Sequence, residues 1–185
     1  TGMRGKVYVV DKSKERLKEL HEMFGDKIIP TESDKTDLKK LVSECDLLIG
    51  GVLIPGAEAP KLVTKEMIKS MKRGSVIVDV AIDQGGCVET SKPTTHANPT
   101  YLVDDVVHYC VANMPGGVPR TSTMALNKAT LPLLLKLADQ GYKKTLTENK
   151  NYLAGLNVYR GNITFKAVSD AFDLKYTPAS DLLKN

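Results

Sequence analysis

Two carboxylates and a pair of glycines are the residues of this chain whose types and spacing could do chemistry. Asp83 stands two residues before Gly85 and Gly86, just past an apolar run at 75–80. A carboxylate in that position can accept or orient a proton, and glycines beside it let a backbone approach a ligand closely or take positive φ. The plainer alternative is an ordinary turn in which Asp83 caps something local. Asp11 closes an earlier apolar run at 6–10. At the end of the second strand of a dinucleotide-binding unit, a carboxylate accepts hydrogen bonds from the adenosine ribose hydroxyls and repels the extra phosphate of NADP. A charged hydrogen bond of this kind contributes about 1.5 to 3 kcal/mol, so NAD is the expected cofactor, with Lys12, Lys14 and Arg16 nearby softening the preference. Asp11 could equally begin a helix, where it suits the dipole.

The elements that must position these groups follow from hydrophobic spacing. The run at 75–80 is β-branched and continuous, as expected of a central parallel strand buried on both faces. Residues 6–11 predict a strand, then a helix carrying Leu17, Leu20, Met23 and Phe24 and stopped by Gly25. Residues 28–30 predict a short strand, and Asp34 is the expected cap of a helix carrying Leu38, Leu41 and Val42. A third strand spans 46–51, a helix spans 64–71 and Gly74 stops it. Strand and helix alternate with short connections, the signature of an α/β fold with a right-handed parallel sheet. Residues 92–99 read as extended and turn-rich, 108–112 as a short strand with His108 at an edge, and 113–119 as a break. A long helix over 124–140 is apolar nearly all round, with Pro132 early in it and Gly141 at its end, and must bury itself against something larger than the sheet. The segments 151–156, 159–163 and 165–172 are short and too sparse for a core of their own. The Gly-x-Gly-x-x-Gly turn that holds a pyrophosphate is absent; its strand would lie between the second and fourth, so the sheet should carry a gap there.

Composition excludes several classes. With 185 residues, 42% hydrophobic and 26% charged, the chain suits one globular core with a lobe attached. The net charge of +4 is spread without a basic stripe, and there is no Trp, so no nucleic-acid partner is expected. Cys45, Cys87 and Cys110 share no metal-ligand spacing, so no metal is expected, and their odd number suits a reducing, cytoplasmic setting. No apolar run reaches the roughly 20 residues of a membrane span.

The sequences Val-Asp-Val-Ala-Ile-Asp-Gln-Gly-Gly-Cys at 78–87, Lys-Pro-Thr-Thr at 92–95 and Tyr-Cys-Val-Ala-Asn-Met-Pro at 109–115 closely resemble the alanine dehydrogenase family. The likeness continues through 119–123 and 137–139 to the tail. It implies a Rossmann-like parallel sheet lacking its first βα unit, followed by a mainly helical piece of a substrate lobe, with residues 1–117 in the NAD domain and 118–185 in the lobe. It implies NAD-dependent, reversible oxidative deamination of L-alanine to pyruvate and ammonia by a cytoplasmic homohexamer. By the same resemblance Asp83 is the catalytic aspartate, Asp11 the ribose carboxylate, and Arg16 and Ser33 adenosine-side positions. Val52 and Leu53 match a loop over the cofactor; Val80, Ala81, Ile82 and Asp83 match one nicotinamide-side wall, and Val111, Ala112, Asn113 and Met114 the other. Lys92 stands where the family often has Arg, keeping the charge without the planar fork. The family's substrate-binding Arg and Lys and its acid/base His belong to a preceding half, and none of His21, His96 or His108 takes that place by motif, so residues 1–185 alone are expected to be inactive. Two alternatives remain: the NAD-binding domain of a proton-translocating transhydrogenase, and a non-catalytic binding or assembly module.

Overall fold

The computed structural model describes residues 1–183. Strand β1 (Tyr8–Asp11) pairs in parallel with β2 (Ile29–Glu32), Tyr8 opposite Ile29 and Asp11 opposite Glu32. Helix α1 (Lys14–Phe24) connects them. Ser13 caps it by accepting from Arg16 N at 3.1 Å, Glu15 complements the dipole, and Gly25 at φ +56° ends it. Leu17 is its buried anchor.

A second sheet carries the rest of the core. Helix α2 (Leu38–Glu44), β3 (Leu47–Gly50), α3 (Lys65–Lys69), β4 (Val76–Asp79), β5 (Thr100–Val103) and β6 (Val106–Tyr109) follow in order, and the strands lie as β3-β4-β6-β5. β3, β4 and β6 are parallel; β5 returns antiparallel to β6. The expected α/β order and the expected gap are both present: among the described residues β1 pairs only with β2 and β3 only with β4.

Several local expectations change. The cap of α2 is Asp37, which accepts from Lys40 N at 3.1 Å, because a 3₁₀ turn at Ser33–Lys35 places Asp34 one turn too early. β5 was not expected: Asp104 and Asp105, at φ +50° and +61°, make the tight turn that hairpins favour, without the usual glycine. His108 therefore sits on an internal strand, fully buried, and not at an edge.

The core forms on one face only. Ile77, Val106 and Leu48 of the sheet pack against Val42 of α2 and Ile68 of α3, with Ala59, Val63, Ala81 and Val88 from the connecting segments. Each fully buried Val or Ile contributes about 1.5 to 3 kcal/mol. On the alternate register positions Leu47 remains 54% and Ile49 65% exposed, and Val76 and Val78 are half-buried. Burial of β4 on both faces is thus corrected: α2 and α3 cover the Ile77 side alone. Val80 leaves the strand altogether.

Beyond the sheet come α4 (Pro119–Gln140), α5 (Tyr142–Glu148), α6 (Lys150–Ala154), the hairpin of β7 (Val158–Tyr159) and β8 (Asn162–Ile163), α7 (Lys166–Ala171) and α8 (Ala179–Leu183). α4 starts at Pro119, earlier than the apolar pattern indicated, because proline is preorganised for the first helical position. Its expected burial is not seen: no residue of α4 is buried among the described residues, and Leu131, Leu133, Leu134 and Leu135 are each half or more exposed. Among the described residues no helix is long and apolar enough to cross a membrane.

Gly50 tests the packing at the end of β3, since a Cβ there would collide with Cys87 Sγ. Gly50→Ala should lower stability by about 1–3 kcal/mol in urea denaturation. In the Cys87→Ala background most of that increment should vanish, a coupling that a double-mutant cycle measures directly.

Candidate functional site

The site grows from the end of β4. Asp79 is fully buried, and its carboxylate collects the donors of the segment that follows. Oδ1 accepts from Ala81 N at 3.1 Å; Oδ2 accepts from Cys87 N at 3.0 Å, Val88 N at 3.2 Å and Ser91 Oγ at 2.6 Å. The Cys87 thiol donates to Oδ1 at 3.6 Å. A buried carboxylate is tolerable only when so engaged. Burial first, and then the charge and hydrogen bond of Asp79, push the Cys87 thiol up to about 11.

The segment between these contacts folds back on itself. A 3₁₀ turn at Val80–Gln84 runs into Gly85 at φ +88° and Gly86 at φ +77°. A Cβ on Gly86 would lie 2.8 Å from Asp79 Oδ2, so glycine is required both for the conformation and for the close approach. On the outer side Lys61 Nζ donates to the carbonyls of Gly85 and Gly86. Asp83 ends up exposed at the apex, with no hydrogen bond or ion pair among the described residues. The local capping expected as the plainer reading of Asp83 is done by Asp79 instead.

Parallel pairing brings other predicted residues to the same edge. Gly50 is in register with Asp79, and Val78 with Tyr109, so β3, β4 and β6 deliver their carboxyl ends side by side. Val52 and Leu53 follow β3, Val80–Asp83 follow β4, and Val111–Met114 follow β6. Ligands of open α/β sheets bind at such edges. Ala81, Ile82 and Val111 are buried, whereas Val80, Leu53, Ala112 and Asn113 are exposed. Asn113 is held at φ +58°, its carbonyl accepting from His96 Nε2 at 3.0 Å. Lys92 has an exposed side chain; its backbone N donates to Tyr101 OH at 2.7 Å, which in turn donates to Thr90 O at 2.9 Å.

Asp11, Arg16 and Ser33 form a separate group at the carboxyl end of the β1–β2 pair. Asp11 Oδ1 accepts from Ser13 N at 2.8 Å, so this carboxylate does start the helix, and its second oxygen is uncommitted among the described residues. Arg16 pairs with Glu19 at 2.7 Å, and Ser33 Oγ donates to Asp34 at 3.1 Å. Among the described residues no strand pairing joins this group to the Asp83 edge. Among the described residues no cluster of three His, Cys, Asp or Glu could hold a metal ion.

Residues 1–166 match the family described as alanine dehydrogenase/PNT, C-terminal domain. The chain belongs to that family. Its relatives include alanine dehydrogenase of Halomonas elongata, 55% identical over 98% of this chain and 49% of that protein. Alanine dehydrogenase 2 of Staphylococcus aureus strain USA300 is 50% identical over 99% of this chain and 50% of its own length. The chain thus spans about half the length of the curated relatives it matches. A solved L-alanine dehydrogenase superposes with a TM-score of 0.79 at 48% identity, over 93% of this chain and 47% of that one. A transhydrogenase from Sinorhizobium meliloti shares the fold, with a TM-score of 0.54 at 23% identity over 71% of this chain and 44% of its own.

Two residues of this alanine dehydrogenase/PNT domain support the edge from behind: Asp79, which sequence reasoning passed over, and His108, which it set at a strand edge without a role. Asp79 was visible only as a charge closing an apolar run, a signal that it must find donors. His108 donates from Nδ1 to Val106 O at 3.0 Å, which leaves Nε2 to accept from Thr90 Oγ1 at 2.8 Å, while its ring stacks on Tyr101 at 5.0 Å. Burial lowers the proton affinity of His108 below its ordinary value of 6.5. The unfolded chain then binds the extra proton more readily, so stability is complete above about pH 6.5 and falls as the pH drops below it. Urea midpoints between pH 8 and 5 should show this decline, and His108→Phe, which keeps the stack but cannot titrate, should flatten that part of it.

Proposed function

We propose that this chain supplies the NAD-binding unit, residues 1–117, and part of the substrate lobe, residues 118–185, of an alanine dehydrogenase working in the cytoplasm as a homohexamer. The single observation that carries the reading is Asp83: an exposed carboxylate, without a hydrogen bond or ion pair among the described residues, set beside paired glycines at the shared carboxyl edge of three parallel strands. The family relatives named alanine dehydrogenase give the substrate pair, L-alanine and pyruvate.

The residues present suit the two ends of NAD. The oxygen of Asp11 that is uncommitted among the described residues suits a ribose hydroxyl, with Arg16 and Ser33 close to the same strand ends, and Val80–Asp83 and Val111–Met114 form walls for the nicotinamide through the exposed Val80, Asp83, Ala112 and Asn113, with Val52 and Leu53 as cover. Lys92 adds a positive charge beyond that edge. The chain has no glycine motif for the pyrophosphate. Bound NAD would accept the two electrons and one hydrogen of the alanine α-carbon. Overall, L-alanine, NAD⁺ and water give pyruvate, ammonium, NADH and a proton. In that conversion Asp83 orients the amine or the attacking water and offsets the positive charge that develops as the carbon–nitrogen bond gains double-bond character.

Isothermal titration of the chain with NAD separates this reading from a binding-incompetent assembly module. Binding that Asp11→Ala weakens by about ten- to a hundred-fold supports the ribose role; absence of binding supports the module. In a full-length alanine dehydrogenase carrying these residues, Asp83→Asn should cut turnover by orders of magnitude while sparing NAD affinity, and near-normal turnover would refute the assignment. Residues 1–185 alone should produce no alanine-dependent NADH, read at 340 nm.

A further inference from the structure

Among the described residues Asp83 has no hydrogen bond or ion pair, whereas Asp79 accepts from Ala81, Cys87, Val88 and Ser91. Within residues 81–91 two sets of polar groups face opposite sides, although Glu89 N also donates outward, to Val63 O at 2.9 Å. The carbonyls of Gln84, Gly85, Gly86 and Cys87 face the outer segment, accepting from Ala59 N at 2.8 Å, from Lys61 Nζ and from Leu62 N at 2.8 Å. The N–H groups of Ala81, Cys87 and Val88, together with the Ser91 hydroxyl, face inward onto Asp79. Such an arrangement of inward N–H groups is a concave, electropositive lining that requires an anion, and the fold supplies one from the strand itself. Gly50 and Gly86 have no Cβ because their space belongs to Cys87 Sγ and to Asp79 Oδ2.

We propose that Asp79 is a positioning residue: its carboxylate, by gripping both ends of residues 81–91, sets where Asp83 and the glycine pair stand relative to the sheet edge. The functional consequence rests on reading Asp83 and residues 80–83 as the nucleotide-facing group; the grip itself does not. The two oxygens divide the work. Of the backbone donors, Oδ1 holds Ala81, two residues before Asp83, with the Cys87 thiol beside it at 3.6 Å, and Oδ2 holds the far end at Cys87 N, Val88 N and the Ser91 hydroxyl. An asparagine at this position has one acceptor. Its best orientation places that oxygen where Oδ2 was, keeping three donors, and turns its NH₂ towards the Ala81 N–H, where donor meets donor. Asp79→Asn therefore releases the Asp83 end and spares the other, whereas Asp79→Ala releases both.

Amide hydrogen exchange on the 185-residue chain, followed residue by residue by NMR, tests this. Expected for Asp79→Asn is about ten- to a hundred-fold faster exchange at Ala81, with Cys87, Val88 and the β6 amides Val107 and Tyr109 close to the parent. Ser91→Ala should speed exchange modestly at Val88 and leave Ala81 unchanged. A purely structural role would lower protection in loop and sheet together, and that result, or an unchanged Ala81 in Asp79→Asn, overturns the proposal. Should Asp79→Ala fail to fold, the Asn and Ser91 arms still decide. Titration of the same variants with NAD reports separately: an unliganded parent chain counts against the nucleotide reading, while the exchange pattern decides the grip.

Discussion

A charge placed in a dry interior has to be answered by donors, and at Asp79 that requirement organises the molecule. The strand that ends there is apolar up to its last residue, so the carboxylate arrives in the core with no solvent to stabilise it. Its donors come from the chain that follows, and recruiting them bends residues 80–91 back over the end of the strand. Two glycines become obligatory, Gly86 to admit the carboxylate and Gly50 to admit Cys87. The outward placement of Asp83 is what remains when every inward position of the turn is already taken. One electrostatic demand thereby fixes a backbone path, a packing arrangement and the presentation of an acid to solvent.

The polar support continues behind the turn. Ser91 leads to Thr90, whose hydroxyl meets His108 and whose carbonyl meets Tyr101, and the Tyr101 hydroxyl also receives Lys92 N. Burial lowers the proton affinity of His108 and raises Tyr101 above the ordinary phenol range. These groups tie the antiparallel hairpin of β5 and β6 to the far end of the gripped segment. The sheet's regular backbone gives the edge its direction, and this side-chain network links it to the hairpin.

Much of this was legible in the sequence, and the exceptions are instructive. The alternation of strands and helices, the interruption between β1 and β3, and the glycine-rich turn after β4 all follow from patterns that side chains carry. The role of Asp79 did not, because three of its partners are backbone N–H groups, which have no signature in a sequence. β5 was invisible because its turn is Asp104-Asp105, where two aspartates adopt the left-handed backbone usually left to Gly or Asn. Asp34 lost the capping role to Asp37 because a single 3₁₀ turn, too short to show a period, lay between them. The leucines of α4 announced a helix but not what would cover it; periodicity reports an apolar surface, and only coordinates report its neighbours.

Among the described residues one edge of β1 and one of β3 are unpaired, and these edges carry a consequence of their own. Each is a row of backbone N–H and C=O groups already set at the spacing of a partner strand, and β3 adds Leu47 and Ile49 beside it. Such edges, without the lysines, prolines or bulges that usually blunt them, are templates for further strand addition. In dilute solution this chain should therefore be sticky, its colloidal behaviour governed less by its modest positive charge than by how quickly something, another molecule of itself included, zips onto those rows.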